Sequence, residues 1–190
     1  MSNANKTYIV DMFDEIVSRT RASYDLVNGL QPYYDYGHIL DILVKLTIKD
    51  GNDIEKFQKY PLICLITDIE QNYGTDQGFL YEFAPRVLIL QQTDQNYTSQ
   101  ERTENIFKNT LYPIYNQFMQ DVASYEHFYF SPTNYVRHSK TDRYSWGASG
   151  IFGNLGVIFN DYLDGIEIIF NSIKVRRFSG TNCNNEISVN

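Results

Sequence analysis

The sequence predicts an α+β fold: a mostly antiparallel sheet, a long kinked helix packed across it, and helices at the N-terminal end. Three observations carry that expectation. Two short runs, Leu62–Ile66 and Val87–Leu90, are apolar at every position, as strands covered on both faces are. Thr98-Ser-Gln-Glu101 sets a capping hydroxyl three residues ahead of a glutamate, a pattern that opens a helix. Beyond it, apolar residues recur at helical spacing as far as Tyr125.

Taken in order, Tyr8, Ile9, Met12, Phe13, Ile16 and Val17 form one helical stripe with Asp11, Asp14 and Glu15 outside it, so an amphipathic helix is expected to end near Ala22. Asn28-Gly29 and Pro32 mark a loop. Gly37 to Lys49 fits two patterns. Ile42, Val44, Leu46 and Ile48 alternate as a strand would, while Ile39, Leu40, Leu43, Leu46 and Thr47 fit a helix. We read a helix stopping at Gly51. Pro61 stands at the entrance of the first apolar strand, where its missing donor costs little. A polar turn around Gly74 and Gly78 leads to the second. Two rows then run down the long helix: Ile106, Thr110, Ile114, Phe118 and Val122, and Phe107, Leu111, Tyr115 and Met119. Pro113 lies inside it, removes one backbone hydrogen bond and should kink it. Phe128-Tyr-Phe130 and Tyr135-Val-Arg-His138 suggest extended chain broken at Pro132, and the glycines from Gly147 to Gly156 suggest a loop. Gly165–Val175 reads as the last strand, bulged near Asn171-Ser172. Residues 1–177 are read as a single domain, and 178–190 as a polar arm with little to bury.

Composition narrows the function. At 190 residues the chain suits one domain with a real core. Its 16 Tyr and 12 Phe fit either a Tyr-rich core and surface or extensive protein contact. The net charge of −7 argues against a general nucleic-acid binder, yet suits a wall that DNA passes without sticking. Cys64 sits in an apolar strand and Cys183 in the polar tail, so a disulfide framework is not expected. The N-terminus lacks a basic-then-apolar leader and no run approaches membrane-spanning length, so synthesis in a cytoplasm and no membrane partner are expected.

No constellation spells out a reaction. Asp161, Asp164 and Glu167 could share a divalent cation if they met, but no calcium-loop pattern surrounds them. His38, Asp41 and Glu70 could also be drawn as a metal site, with a surface or capping role as the plainer reading. His127 and His138 belong to no two-histidine zinc helix, and Ser145, Ser149 and Cys64 to no nucleophile elbow. Catalytic residues, metal and cofactor are therefore each expected to be none. Arg137, His138, Lys140, Arg143 and Trp146 form the one basic-aromatic cluster, fit to touch phosphate or to anchor another subunit. We take Arg137, Lys140, Arg143 and Trp146, with Arg176, Arg177 and Cys183 towards the tail, as candidate subunit-interface residues.

Several segments, in order, carry a resemblance: Asp35-Tyr-Gly-His38, Lys59-Tyr-Pro-Leu-Ile63, Thr98-Ser-Gln-Glu-Arg102, Leu111-Tyr-Pro-Ile114, His138-Ser-Lys-Thr-Asp-Arg143 with Trp146-Gly147, and Asn160-Asp-Tyr-Leu-Asp164-Gly-Ile-Glu-Ile168. The chain resembles tail-terminator and tail-completion proteins of tailed bacteriophages, and more particularly the neck or ring proteins of crAss-like phages. The resemblance implies a virion protein that forms a homo-oligomeric ring at the head–tail junction, around the DNA channel and between portal-side and tail components. It brings no catalytic residues. Two rival expectations stand beside it: a small metal-dependent hydrolase using Asp161, Asp164 and Glu167, and a monomeric adaptor that binds a partner through its aromatic surface.

Overall fold

The computed structural model describes residues 8–28, 31–50, 59–74, 78–130, 135–146 and 161–176. The expected α+β architecture is present, divided between two sheets. The first runs β1-β2-β5-β8-β7, where β1 is Tyr33–Gly37, β2 Leu62–Ile66, β5 Arg86–Gln92, β8 Leu163–Phe170 and β7 His138–Trp146. Only the β1–β2 pairing is parallel. The second runs β3-β4-β9-β6, where β3 is Gln71–Tyr73, β4 Phe79–Phe83, β9 Ile173–Arg176 and β6 Phe128–Tyr129, and is antiparallel throughout.

The all-apolar strands are buried on both sides for the expected reason. Along β2, Ile63 and Leu65 face a large core, while Leu62, Cys64 and Ile66 face a smaller one. Val87 and Ile89 of β5 divide from Leu88 and Leu90 in the same way. The large core is roofed by helix α1 (Ile9–Asn28) and by the long helix after Thr98. The small core is covered by α2 (Ile39–Asp50) through Ile42, Leu43 and Leu46. Helix α1 starts at Ile9, leaving Tyr8 of the predicted stripe ahead of it and 70% exposed, and continues past Ala22 to Asn28. Its Phe13 ring lies about 6 Å from those of Phe83, Phe118, Phe128 and Phe170, which joins both sheets and the long helix in one core.

Three expectations need correction. Gly165–Val175 is not one bulged strand. It breaks at Asn171-Ser172 and changes sheets, with Phe170 ending β8 and Ile173 opening β9. Phe170, Ile173 and Val175 all face the large core, so turning the corner lets one chain segment wall that core twice. Second, Tyr33–Gly37 and the β3–β4 hairpin are strands where only loop and turn were read, and the basic-aromatic stretch is the edge strand β7. Third, the long helix is kinked and packs on the sheet as expected, but its irregularity is a change of winding rather than a simple bend at Pro113. It begins as α3 (Ser99–Arg102), widens into a π-helix over Thr103–Leu111, and resumes as α4 (Tyr112–Ala123). The Tyr112 N–H bonds to Phe107 O, five residues back. Pro113 therefore falls in the first turn of α4, where a missing N–H is tolerated.

The capping box at the start of α3 forms as read. Thr98 Oγ1 accepts from Glu101 N at 3.3 Å, and the Glu101 carboxylate accepts from Thr98 N at 2.8 Å. Those Thr98 donors hold the Glu101 carboxyl below its ordinary pKa. Gly165 is required where it stands: a Cβ there would come within 2.6 Å of Leu90 Cδ2 and 3.0 Å of Ile89 O. The Gly147–Gly156 loop, Gly51, Pro132 and the 178–190 arm lie outside the described residues.

Candidate functional site around Arg102

The sequence-predicted carboxylates do not converge. Asp161 is held by Lys59 Nζ at 2.6 Å and the Tyr60 hydroxyl at 3.0 Å. Glu167, 3% exposed, is clamped between Arg143 and Arg86. Asp164 lies an odd number of residues from Glu167 along β8, hence on the opposite face of the sheet. Each carboxylate thus has its own cation, and among the described residues no three His, Cys, Asp or Glu side chains form a metal-binding group. His38 accepts the Leu40 N–H with Nδ1 at the start of α2, a capping role. His138 is fixed by Val136 O at 2.9 Å and the Tyr115 hydroxyl at 2.6 Å. Cys64 is fully buried, and desolvation pushes its thiol pKa far up, which makes it inert.

The interface candidates divide. Arg137 and Arg176 are exposed, the latter over the Tyr129 ring. Lys140 is exposed, pairs with Asp142 and lies 4.5 Å from the Tyr112 ring centre. Arg143 is exposed but spends its guanidinium on Glu167. Trp146 is a correction: at 4% exposure it belongs to the small core with Leu163, and so cannot anchor a surface contact. Arg177 and Cys183 lie outside the described residues.

What the structure does assemble is a buried polar centre around Arg102. This residue is 7% exposed at the junction of α3 and the π segment. Its Nη1 donates to Ser145 Oγ at 2.7 Å and to Asp164 Oδ1 at 3.0 Å, and its Nε donates to Tyr97 O at 3.2 Å. Asp164 has no exposed surface and also accepts the Ser145 N–H at 2.8 Å. Ser145 holds φ at +51°, a left-handed conformation unusual for a residue with a Cβ, inside the bulge between Arg143 and Trp146 of β7. Cross-strand pairing sets Gln91 of β5 directly opposite Asp164. Among the described residues, three buried oxygens have no hydrogen-bond partner: Gln91 Oε1, Thr93 Oγ1 and Asp164 Oδ2.

Sequence reasoning named Asp164 and Ser145 but missed Arg102, Gln91 and Thr93. Arg102 reads as an ordinary charge in the first turn of a helix, and only tertiary packing buries it. Two polar residues following Leu90 signal a strand end; the cross-strand register that places Gln91 against Asp164 carries no local signal. No described helix is long and apolar enough to cross a membrane. Comparison with family models, with curated proteins and with solved structures finds no match to this chain.

Proposed function

We propose that this chain is a structural subunit of a phage head–tail junction, forming a homo-oligomeric ring around the DNA channel and bridging portal-side and tail proteins in the virion. The observation that best supports assembly is α2. This helix is apolar on both sides: Ile42, Leu43 and Leu46 are buried, while Leu40, Val44 and Ile48 form an outer row, 42%, 57% and 67% exposed. Tyr36, 46% exposed on the preceding strand, adds to it. An amphipathic surface helix turns polar residues outwards, and an apolar outer row is what a neighbouring subunit covers. The phage setting comes from the sequence resemblance, and the net charge of −7 fits a channel wall that DNA passes without adhering. The reading assigns no catalysis and no cofactor. On it, residues 178–190 are an arm that orders on a neighbouring subunit.

Native mass spectrometry and negative-stain imaging of the purified chain test this. A closed ring is expected, and Val44→Asp with Ile48→Asp should yield monomers with unchanged circular dichroism. A wild-type chain that stays monomeric at its highest soluble concentration would favour the adaptor reading instead.

A further inference from the structure

We infer that the outer face of the second sheet carries a cleft for single-stranded nucleic acid, taking an unpaired base and its phosphate between the segment before β7 and the corner that joins β8 to β9. The inference is read from a single chain and does not rest on the ring. Alternation builds the cleft. Val136 is buried in the large core, which turns Tyr135 and Arg137 outwards together. Tyr129 lies between buried Phe128 and Phe130, and Lys174 between buried Ile173 and Val175, so both side chains face outwards. They stand directly opposite each other across the β6–β9 ladder. Arg137 O accepts the Asn171 N–H at 3.0 Å, which ties the segment to the corner. These residues, with Phe130 and Ser172, enclose about 190 Å³.

Three groups in the cleft select the ligand. The Tyr135 ring, 69% exposed, the Arg137 guanidinium and the Asn171 carboxamide all reach solvent, and among the described residues their side chains make no hydrogen bond, ion pair or ring contact. They offer a face to stack on, a cation, and a donor beside an acceptor. A nucleotide answers all three with its base, its phosphate and its base edge. Among the described residues no carboxylate lines the cleft. Lys174 adds less than a full charge, because Glu82 stands across the ladder from it and accepts the Ser172 hydroxyl. Beside the cleft, Arg176 is exposed and lies 5.5 Å from the Tyr129 ring centre, a second cation for a following phosphate. That second cation favours a strand over a free nucleotide. A duplex keeps its bases stacked on one another and offers Tyr135 no free face, so duplex DNA still passes without adhering. The net charge of −7 opposes phosphate at long range, so the strand is held by these short-range contacts.

Fluorescence anisotropy of the full chain tests this, with a labelled oligothymidylate of roughly ten nucleotides as probe. The probe should bind at low salt, more tightly than thymidine monophosphate and more tightly than a duplex or an abasic strand of the same length. Tyr135→Ala should weaken binding by roughly tenfold, the worth of one stacked base, and leave its salt dependence unchanged. Arg137→Gln should also weaken it, and should reduce the slope of log affinity against log salt by about 0.7, one released counterion. Both side chains are exposed, so circular dichroism of the variants should match the wild type. Equal binding of the abasic strand or the duplex would reduce the cleft to unspecific charge and overturn the inference. Equal affinity for thymidine monophosphate would assign a free nucleotide in place of a strand. Displacement of the probe by a glutamate–tyrosine copolymer as readily as by unlabelled strand would give the cleft to an acidic protein instead. Indifference to both substitutions, or no binding up to roughly 100 μM, the weak end of non-specific nucleic-acid affinity, would each overturn it.

Discussion

Removing either half of the Arg102–Asp164 pair should damage the fold far more than removing a surface pair. Arg102→Met keeps most of the aliphatic volume but strips the guanidinium from a carboxylate with no exposed surface. The Ser145 N–H, at 2.8 Å, is then the remaining donor to Asp164 among the described residues. Uncompensated buried charges of this kind cost about 3–5 kcal/mol. Asp164→Leu strands the arginine instead, softened by its bonds to Ser145 Oγ and Tyr97 O, and should fall at the lower end of that range. The double variant should not cost the sum. With both charges gone, the site becomes an apolar contact between the helix and β8, and the coupling energy should recover about 1–3 kcal/mol. Urea unfolding followed by circular dichroism measures all three variants, and unchanged m-values would keep the comparison two-state. Single-variant losses below about 1 kcal/mol, the scale of exposed pairs, or strict additivity in the double variant, would show that this pair does not organise the helix–sheet junction.

Two further outcomes follow from the packing. Phe118 has no exposed surface and its ring lies 6.3 Å from that of Phe13, so Phe118→Ala should cost about 3–5 kcal/mol in a denaturant titration; a loss within noise would remove α4 from the core. The Tyr112 hydroxyl donates to Asp142 at 2.7 Å, and that bond, aided by burial, raises its pKa to about 12 from 10.0. A raised folded-state pKa gives a contribution fully present below the unfolded value near pH 10 and lost as pH rises through about 12. Burial also raises Tyr34, Tyr81 and Tyr125, so ultraviolet titration should show several late-ionising tyrosines, of which Asp142→Asn shifts Tyr112 back towards 10; a titration curve indifferent to that substitution would break the assignment.

How much was legible follows from how local each signal is. The capped helix start at Thr98, the two-sided strands β2 and β5, and the stripe on α1 are written in short-range pattern, and all three appear. Helix α2 read ambiguously because it is apolar on two faces, with Asp41, Lys45 and Lys49 on a stripe between them: Val44 and Ile48, which mimicked a strand's alternation, lie on its outer face. The strands that were missed are short or polar. Gln71–Tyr73 is exposed throughout and β7 alternates Ser, Lys, Thr and Asp, so their pairing comes from neighbouring strands rather than their own apolarity. Trp146 looked like an interface anchor because arginines and a lysine precede it. The bulge after Arg143 sends its ring to the small core while Arg143 bonds to Glu167. The carboxylate cluster failed for a geometric reason: spacing that suits a helix puts Asp164 and Glu167 on opposite faces of a strand.

The departures from local rules are not scattered. The buried charge pair, the positive φ of Ser145, the bulge in β7, the onset of the π segment and three unpartnered oxygens all lie where the long helix crosses the ends of β5, β8 and β7. Each opposes stability on its own, and sequences tolerate such conflicts where a compensating role exists. Part of the compensation is internal. In an α-helix the residues facing the sheet recur at 3.6, whereas Arg102, Ile106 and Phe107, and Leu111 are buried at intervals of four to five, which the wider i→i+5 winding supplies. The π segment thus keeps Arg102 over Asp164 and Leu111 over the core, and delivers Pro113 to the first turn of α4. It does not account for the bare oxygens of Gln91 and Thr93, since neither belongs to the pair it positions. Both oxygens are closed off from solvent, so they add to the cost that packing at this junction has to offset.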